Sequence, residues 1–283
     1  MLSWSQELER SAYAMDGQRW AGLRAQRVAS VDSTNSALLR SAQAGDTAPQ
    51  VLWAQAQTAG RGRMGRLWLG APADANGGTS EASASGLYFS VGLTLAPRDW
   101  SGLSLALGLA VAQTLHISVG VKWPNDLWLR QGPGYAKLGG ILIETAALPH
   151  APEGAARWVV IGLGLNLRDA PQAPDLRTPA TDIASGLPTA AAAALLADTG
   201  LLCARLTAAM VQAAVRFEQA GFASFVPDYH ARDVLYGQPL HSSAGASGMA
   251  LGVDAQGHYQ IQQGNGELLR ISSAEISLRP GAL

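Results

Sequence analysis

Between residues 87 and 95 the chain alternates with a period of two. Leu87, Phe89, Val91, Leu93 and Leu95 are separated by Tyr88, Ser90, Gly92 and Thr94. Only extended backbone puts every second side chain on one face, so this run predicts a half-buried strand and hence a sheet. Shorter apolar runs predict further strands at Arg27–Val31, Val51–Ala54, Val121–Trp123, Leu127–Leu129, Leu138–Glu144 and Trp158–Leu167. Asp32, Ser33, Thr34 and Asn35 are all good helix caps and precede a short helix at Ala37–Leu39. Asp99 is placed to cap a second helix reaching about His116, apolar nearly all round and therefore buried. A long helix follows from Asp198 to Ala220, with a stripe of Leu202, Leu206, Met210, Ala213 and Phe217 and a stop at Gly221. Residues 172–197 have no defined pattern, and the Gly/Ser/Ala-rich stretch 71–86 reads as a surface insertion.

Beyond a boundary near 232–237 the pattern changes to short strands and turns. Met249–Val253, Tyr259–Gln262 and Leu268–Ile271 are separated by Asp254–Gly257 and Gly264–Gly266. A small β-barrel of this size is stable only when packed on a larger body. The expected organisation is an N-terminal extension at 1–26, a main domain at 27–234 and a small C-terminal domain at 235–283.

Composition narrows the function classes. A net charge of -1 lacks the basic footprint of a duplex-DNA binder. The single cysteine, Cys203, forms no intramolecular disulfide, and five histidines lie scattered without ligand spacing. Met1–Arg10 lacks the apolar core of a secretory signal, and Leu103–Leu115 is too short for a bilayer, which takes about 20 apolar residues. A soluble, cytoplasmic protein without membrane or nucleic-acid partners is expected.

Five segments carry residues suited to chemistry. Gly60-Arg61-Gly62-Arg63-Met64-Gly65-Arg66 combines flexible backbone with planar cations that suit carboxylate or phosphate. A solvated basic loop or an RNA contact would have the same composition. Lys122-Trp123-Pro124-Asn125-Asp126 brackets a turn with opposite charges, either a working pair or a surface ion pair worth about 0–1 kcal/mol. Lys137 stands at the mouth of a strand opened by Gly139 and Gly140, and Gly162-Leu163-Gly164-Leu165-Asn166 repeats that design. Glycine weakens a strand unless a ligand or a neighbouring element must approach closely. Ser33-Thr34-Asn35 offers two hydroxyls and an amide at a helix start, or simply a cap. Trp53, Trp68, Trp123, Trp128 and Trp158 fit a core as well as a ligand platform.

Taken in order, these segments resemble the biotin–protein ligase family. The match runs through Ser-Thr-Asn at 33–35, Gln-Thr-Ala-Gly-Arg-Gly-Arg-Met-Gly-Arg-Leu-Trp at 57–68, Lys-Trp-Pro-Asn-Asp at 122–126, Lys-Leu-Gly-Gly-Ile-Leu-Ile-Glu at 137–144 and Gly-Leu-Gly-Leu-Asn at 162–166. The resemblance implies an α+β fold of the class II synthetase-like, biotin–lipoate ligase type. Its mixed central sheet is flanked by helices and followed by a small SH3-like β-barrel. It implies an AMP-forming ligase that activates biotin with ATP and Mg²⁺ and attaches it to a lysine of a biotin carboxyl carrier protein, of acetyl-CoA carboxylase or a similar carboxylase.

Residue by residue, it implies that Ser33, Thr34, Asn35 and Gln57 contact the ureido ring of biotin. Trp68, Gly139 and Gly140 would lie along its tail, and Gly60, Arg61, Gly62 and Arg63 around its carboxylate. Arg63, Arg66, Trp68, Lys122, Asn125, Lys137 and Asn166 would meet the nucleotide. Arg63, Lys137, Lys122 and Asp126 would be catalytic, Asp126 facing the acceptor lysine; no metal ligands are implied. Met64 stands where the family often has another arginine. At most 26 residues precede the catalytic domain expected from residue 27, whereas the DNA-binding domain of bifunctional relatives needs about 60, so no operator binding is expected. Lipoate–protein ligase and a non-catalytic biotin-responsive regulator are the alternatives. The working form would be a monomer or a homodimer.

Overall fold

The computed structural model describes residues 4–8, 10, 20, 22–68, 84–132, 134–148, 156–172, 178–243, 245–272 and 278–280. Its main sheet has seven strands in the order β1-β2-β3-β7-β6-β5-β4. These are β1 (Arg24–Val31), β2 (Gln50–Gln57), β3 (Gly86–Leu95), β4 (Val119–Lys122), β5 (Asp126–Gln131), β6 (Gly134–Ala147) and β7 (Arg157–Asn166). Only β1 and β2 pair in parallel, because α1 (Thr34–Gln43) crosses between them. The other pairs are antiparallel and the sheet is mixed, as the motifs implied. Each predicted strand of this sheet is present and begins earlier or ends later than its apolar run, since such runs mark only the parts without polar termini. Trp123 and Leu167 lie just past the ends of β4 and β7. β1 begins three residues before Arg27, and β2 continues past Ala54 to Gln57.

The alternating strand β3 is not half-buried. Nine of its ten residues are buried and Thr94 is intermediate. The sheet's centre is covered on both faces, by α2 (Leu103–Leu115) over β6 and the long helix Thr199–Ala220 over β3, and by α1. The residues of β3 that read as solvent-facing lie under α1 and are small or hydroxylic for that reason. A Cβ on Gly92 would stand 2.4 Å from the Trp158 ring, and Ser90 reaches the N-terminus of α1. Helix α2 starts later than predicted. Gly102, not Asp99, occupies its N-cap, and Asp99 accepts the Ser101 N–H at 2.8 Å in the turn before it. The helix is buried nearly all round, as its composition requires.

Residues 172–197, without pattern in the sequence, contain two short helices, α3 (Ile183–Gly186) and α4 (Thr189–Leu196). The long helix is α5 (Thr199–Ala220), with Asp198 capping it from outside and every stripe residue buried. Its length and hydropathy would suffice to cross a membrane, yet most of it is buried, against α2 among other elements. The expected insertion at 71–86 lies largely outside the described residues; Gly86 opens β3.

After α6 (Val226–His230), residues 232–234 run along the edge of β4, with Val121 N–H on Arg232 O and Val234 N–H on Val121 O. A second, antiparallel sheet follows in the order β11-β10-β9-β8-β12. It comprises β8 (Pro239–Ser242), β9 (Ser247–Val253), β10 (Tyr259–Gln262), β11 (Leu268–Ile271) and β12 (Leu278–Pro280). It packs on the main body through Tyr259, whose ring lies 5.9 Å from that of Trp123. The Trp123 indole donates to Gly257 O at 3.2 Å.

Candidate active site

The site forms where the first turn of α1 meets the glycine-opened strands β6 and β7. Ser33 is the N-cap and accepts from Ser36 N–H. Thr34 N–H donates to Gln57 Oε1 at 2.8 Å, fixing the end of β2 to the helix start. The Asn35 amide donates to Leu142 O at 3.2 Å and Glu144 Oε2 at 3.0 Å; both partners only accept, so its orientation is fixed. Its carbonyl lies 2.6 Å from Ser90 Oγ, which is also 2.7 Å from Thr34 Oγ1. Ser33, Thr34 and Asn35 are all buried, and the polar network beneath them is satisfied by protein groups. Capping and a ligand cradle, alternatives in the sequence, coincide: Ser33 caps while Thr34 and Asn35 are held from behind.

The glycines make room for this cradle. A Cβ on Gly162 would stand 2.1 Å from Asn35 Oδ1, and one on Gly164 would stand 2.7 Å from the Trp68 indole. Trp68 therefore lies flat on the sheet, and its buried indole N–H makes no hydrogen bond. Gly139 answers a packing need instead, with the Gly164 carbonyl 2.7 Å from where its Cβ would be.

The glycine–arginine loop is not wholly irregular. Residues 63–65 form one 3₁₀ turn, and Arg61 bridges Leu67 in antiparallel fashion. Within that turn Met64 (φ 57) and Gly65 (φ 69) both adopt left-handed backbone. For methionine this conformation costs about 1–2 kcal/mol. Arg61 pairs with Glu144 at 2.9 Å and donates to Ser36 Oγ at 3.2 Å. Arg63 reaches Asn125 Oδ1 at 3.5 Å, and Asn125 in turn donates to Ile141 O. Burial lowers the Arg63 pKa, with attraction to Asp126 opposing and repulsion from Arg66 adding to it; the guanidinium remains charged.

Across the cavity, the Lys137 ammonium lies 2.7 Å from Asp126 Oδ1 and 5.2 Å from the Trp68 ring centroid. Lys122 is 6% exposed, directly opposite Asp126 in the β4–β5 register, with its ammonium 5.1 Å from the Trp128 ring centroid. The intervening turn contains a cis Trp123–Pro124 peptide.

One cavity of about 170 Å³ is lined by Ser33, Thr34, Asn35, Gln57, Arg61, Gly62, Arg63, Arg66, Trp68, Lys122, Asn125, Asp126, Lys137 and Gly140. Three predicted residues stand outside its lining. Gly60 packs against Trp68, Gly139 against β7, and buried Asn166 donates to Thr181 O at 3.0 Å. A second cavity of about 490 Å³ adjoins it, sharing Arg63, Asn125 and Ile141. Ligand sites usually measure about 300–1,000 Å³, so the first cavity suits a compact ring system and not a whole nucleotide. Ser90, Glu144 and Ser36 were missed as site residues. Ser90 read as an outward residue and Glu144 as a strand end; nothing local marked their contacts with residues more than fifty positions away.

Residues 28–166 match the model of the Biotin/lipoate A/B protein ligase family. Over 264 residues the chain is 32% identical to the biotin–[acetyl-CoA-carboxylase] ligase of Mycobacterium tuberculosis, covering 88% of this chain and 86% of that protein. The chain belongs to the biotin–protein ligase family. Over 262 residues it is also 32% identical to the bifunctional ligase/repressor BirA of Salmonella typhimurium, covering 88% of this chain and 72% of that one. Among solved structures, biotin protein ligase from Aquifex aeolicus in complex with biotin and ATP has a similar fold. Its TM-score is 0.65 at 24% identity, covering 91% of this chain and 99% of that one. The family fold has the mixed sheet, flanking helices and separate C-terminal sheet described above.

Among the described residues no group of three His, Cys, Asp or Glu side chains is placed to hold a metal ion. Asp126 is the one carboxylate in the lining of the first cavity. That donor set fits Mg²⁺ carried on nucleotide phosphates, which takes one or two protein carboxylates.

Proposed function

We propose that this chain activates biotin with ATP to biotinyl-5′-AMP and transfers the biotinyl group to a lysine of a biotin carboxyl carrier protein. The observation that carries this is one cavity in which Arg61 and Arg63 of the glycine–arginine loop and Lys137 of β6 meet the cradle at 33–35. The cradle offers donors and acceptors in fixed positions, as a cyclic urea requires, and Trp68 covers the sheet beside it. Biotin's carboxylate must attack an α-phosphate, so two anions have to approach. Arg63 and Lys137 would offset their repulsion and stabilise charge on the phosphorus. Mg²⁺, bound with the nucleotide, would add charge neutralisation at the phosphates.

In the first step a carboxylate oxygen bonds to the α-phosphorus, the bond to the bridging oxygen breaks, and pyrophosphate leaves. In the second, the carrier's lysine nitrogen attacks the anhydride carbonyl and AMP leaves with the bridging oxygen. The lysine's surplus proton passes by way of Asp126 to solvent. That lysine, with a reference pKa of about 10.4, arrives protonated, so Asp126 would orient the ammonium as well as receive its proton.

The catalytic unit would comprise residues 27–234 and the SH3-like unit 235–283. Of the 1–26 extension, residues 24–26 belong to β1, Trp4 meets the Trp53 ring at 5.4 Å, and Leu8 and Trp20 are buried. An enzyme that draws on ATP and carboxylase carriers would work in the cytoplasm. The test combines purified protein, ATP, Mg²⁺ and biotin with an isolated carrier domain. Biotin-dependent pyrophosphate release and a biotinylated carrier are expected; labelling with lipoate but not biotin would overturn the substrate.

A further inference from the structure

We infer that Asp126 is the internal counter-ion of the phosphate site, held by the cations that take the nucleotide and freed for the acceptor amine only when phosphate replaces it. The inference rests on the proposed two-step reaction. Asp126 lies 2.7 Å from Lys137 and directly opposite Lys122 across the β4–β5 pair. Attraction to Asp126 also opposes the lowering of the Arg63 pKa by burial. Lys137 thus pairs with this carboxylate directly, and Lys122 and Arg63 line the same cavity. Side-chain exposures of 29% for Lys137 and 17% for Asp126 mean that water screens the pair only in part.

An α-phosphate brought to this wall carries a negative charge, as the carboxylate does, and competes for the same donors. When Lys137 turns to the phosphate, Asp126 loses its nearest partner inside a partly desolvated cavity. The ammonium of a carrier lysine then supplies the missing positive charge. The exchange orders the two half-reactions: Asp126 is engaged while no phosphate is present and becomes available when the adenylate is in place. Asn125 and Arg63 border both cavities, so the turn carrying Asp126 stands where a second reactant could approach.

The consequence is an effect of opposite sign on the two steps, which neither a purely structural role nor a proton-accepting role alone produces. Asp126→Asn keeps the shape and removes the competing charge. Titrated with inorganic pyrophosphate in metal-free buffer, this variant should bind at least fivefold more tightly than the wild type. Its transfer of purified biotinyl-5′-AMP to the carrier domain should be at least a hundredfold slower. Removing Lys137 as well, in the Asp126→Asn and Lys137→Met double variant, should abolish the gain. Unfolding temperature verifies the fold, and Asp126→Ser replaces the asparagine variant if that one does not fold. Pyrophosphate affinity that is unchanged or weaker would overturn the counter-ion role, and unimpaired transfer would overturn the release to the amine. If the wild type forms no adenylate at all, the proposed reaction itself has failed, which this pair of readouts separates from failure of the inference.

Discussion

The amide of Asn35 occupies the space into which any side chain at position 162 would project, its oxygen 2.1 Å from where a Cβ on Gly162 would stand. Because Asn35 is also tied to Leu142 and Glu144 on β6, it has no slack with which to yield. Gly162→Ala should therefore displace the cradle, lowering biotin affinity tenfold or more and stability by about 1–3 kcal/mol. Calorimetric titration with biotin measures the first and urea unfolding the second. Unchanged affinity would remove Asn35 from the biotin site.

Lys137 and the cradle serve different parts of the ligand, one the phosphate and the other the ring. Lys137→Ala should reduce adenylate formation at least a hundredfold while leaving the affinity for free biotin within about threefold, a loss of roughly 3 kcal/mol confined to the transition state. Equal losses of binding and adenylation would show that Lys137 holds biotin itself.

Arg63 lies between the two cavities and is partly desolvated there. Shortening it should open the wall that keeps an adenylate from water. In Arg63→Gly, biotinyl-5′-AMP should appear free in solution and label bystander proteins. An unaltered escape rate would assign retention of the adenylate to another part of the loop.

What could be read in advance divides along physical lines. Alternation at 87–95 and short apolar runs elsewhere located the strands of the main sheet, and the α5 stripe with its Asp198 cap was legible because each signal lies within a few residues. Alternation misjudged the exposure of β3, since it records residue size and polarity but not what covers the polar face; here α1 does, and Ser90 and Gly92 are accommodations to it. The start of α2 was misplaced because Asp99 looks like a cap, while Gly102 succeeds through a left-handed backbone that composition does not display. Gly139 and Gly162 looked alike in sequence, but one admits a backbone carbonyl and the other a functional amide. Glu144 was invisible as a site residue because its partners, Asn35 and Arg61, belong to distant segments joined only by the completed sheet.

Asp233, on the segment that leads into the small sheet, accepts from Leu235 N–H and Tyr259 O–H. Burial raises its pKa from 3.8 to about 7 despite those hydrogen bonds. Below the unfolded-state value both states are protonated, and its contribution to stability is fully present. Between about pH 4 and 7 the unfolded chain ionises first, so stability falls as pH rises, by up to about 4 kcal/mol; above 7 the loss is complete. Asp233→Asn should remove this component. Urea midpoints of both proteins at pH 4.5 and 8 measure the difference, and identical slopes would mean that Asp233 keeps an ordinary carboxyl pKa in the fold.

The small sheet bears on chemistry through a second glycine contact. Gly257 has φ 80, and a Cβ there would stand 2.7 Å from Gly102 Cα, at the start of α2. Its carbonyl accepts the Trp123 indole N–H, and Trp123 immediately precedes Pro124, Asn125 and Asp126. Ser104, on the same turn of α2, donates to Pro124 O at 2.9 Å, so the helix start, the small sheet and the catalytic turn brace one another. Gly257→Ala meets both a left-handed backbone and a backbone clash, and should cost about 2 kcal/mol or more. If the contact also positions the turn, kcat for adenylation should fall at least fivefold at temperatures where the variant is fully folded, although residue 257 lines neither cavity. A lowered unfolding temperature with unaltered kcat would confine the contact to stability and leave the turn to be held by α2 alone.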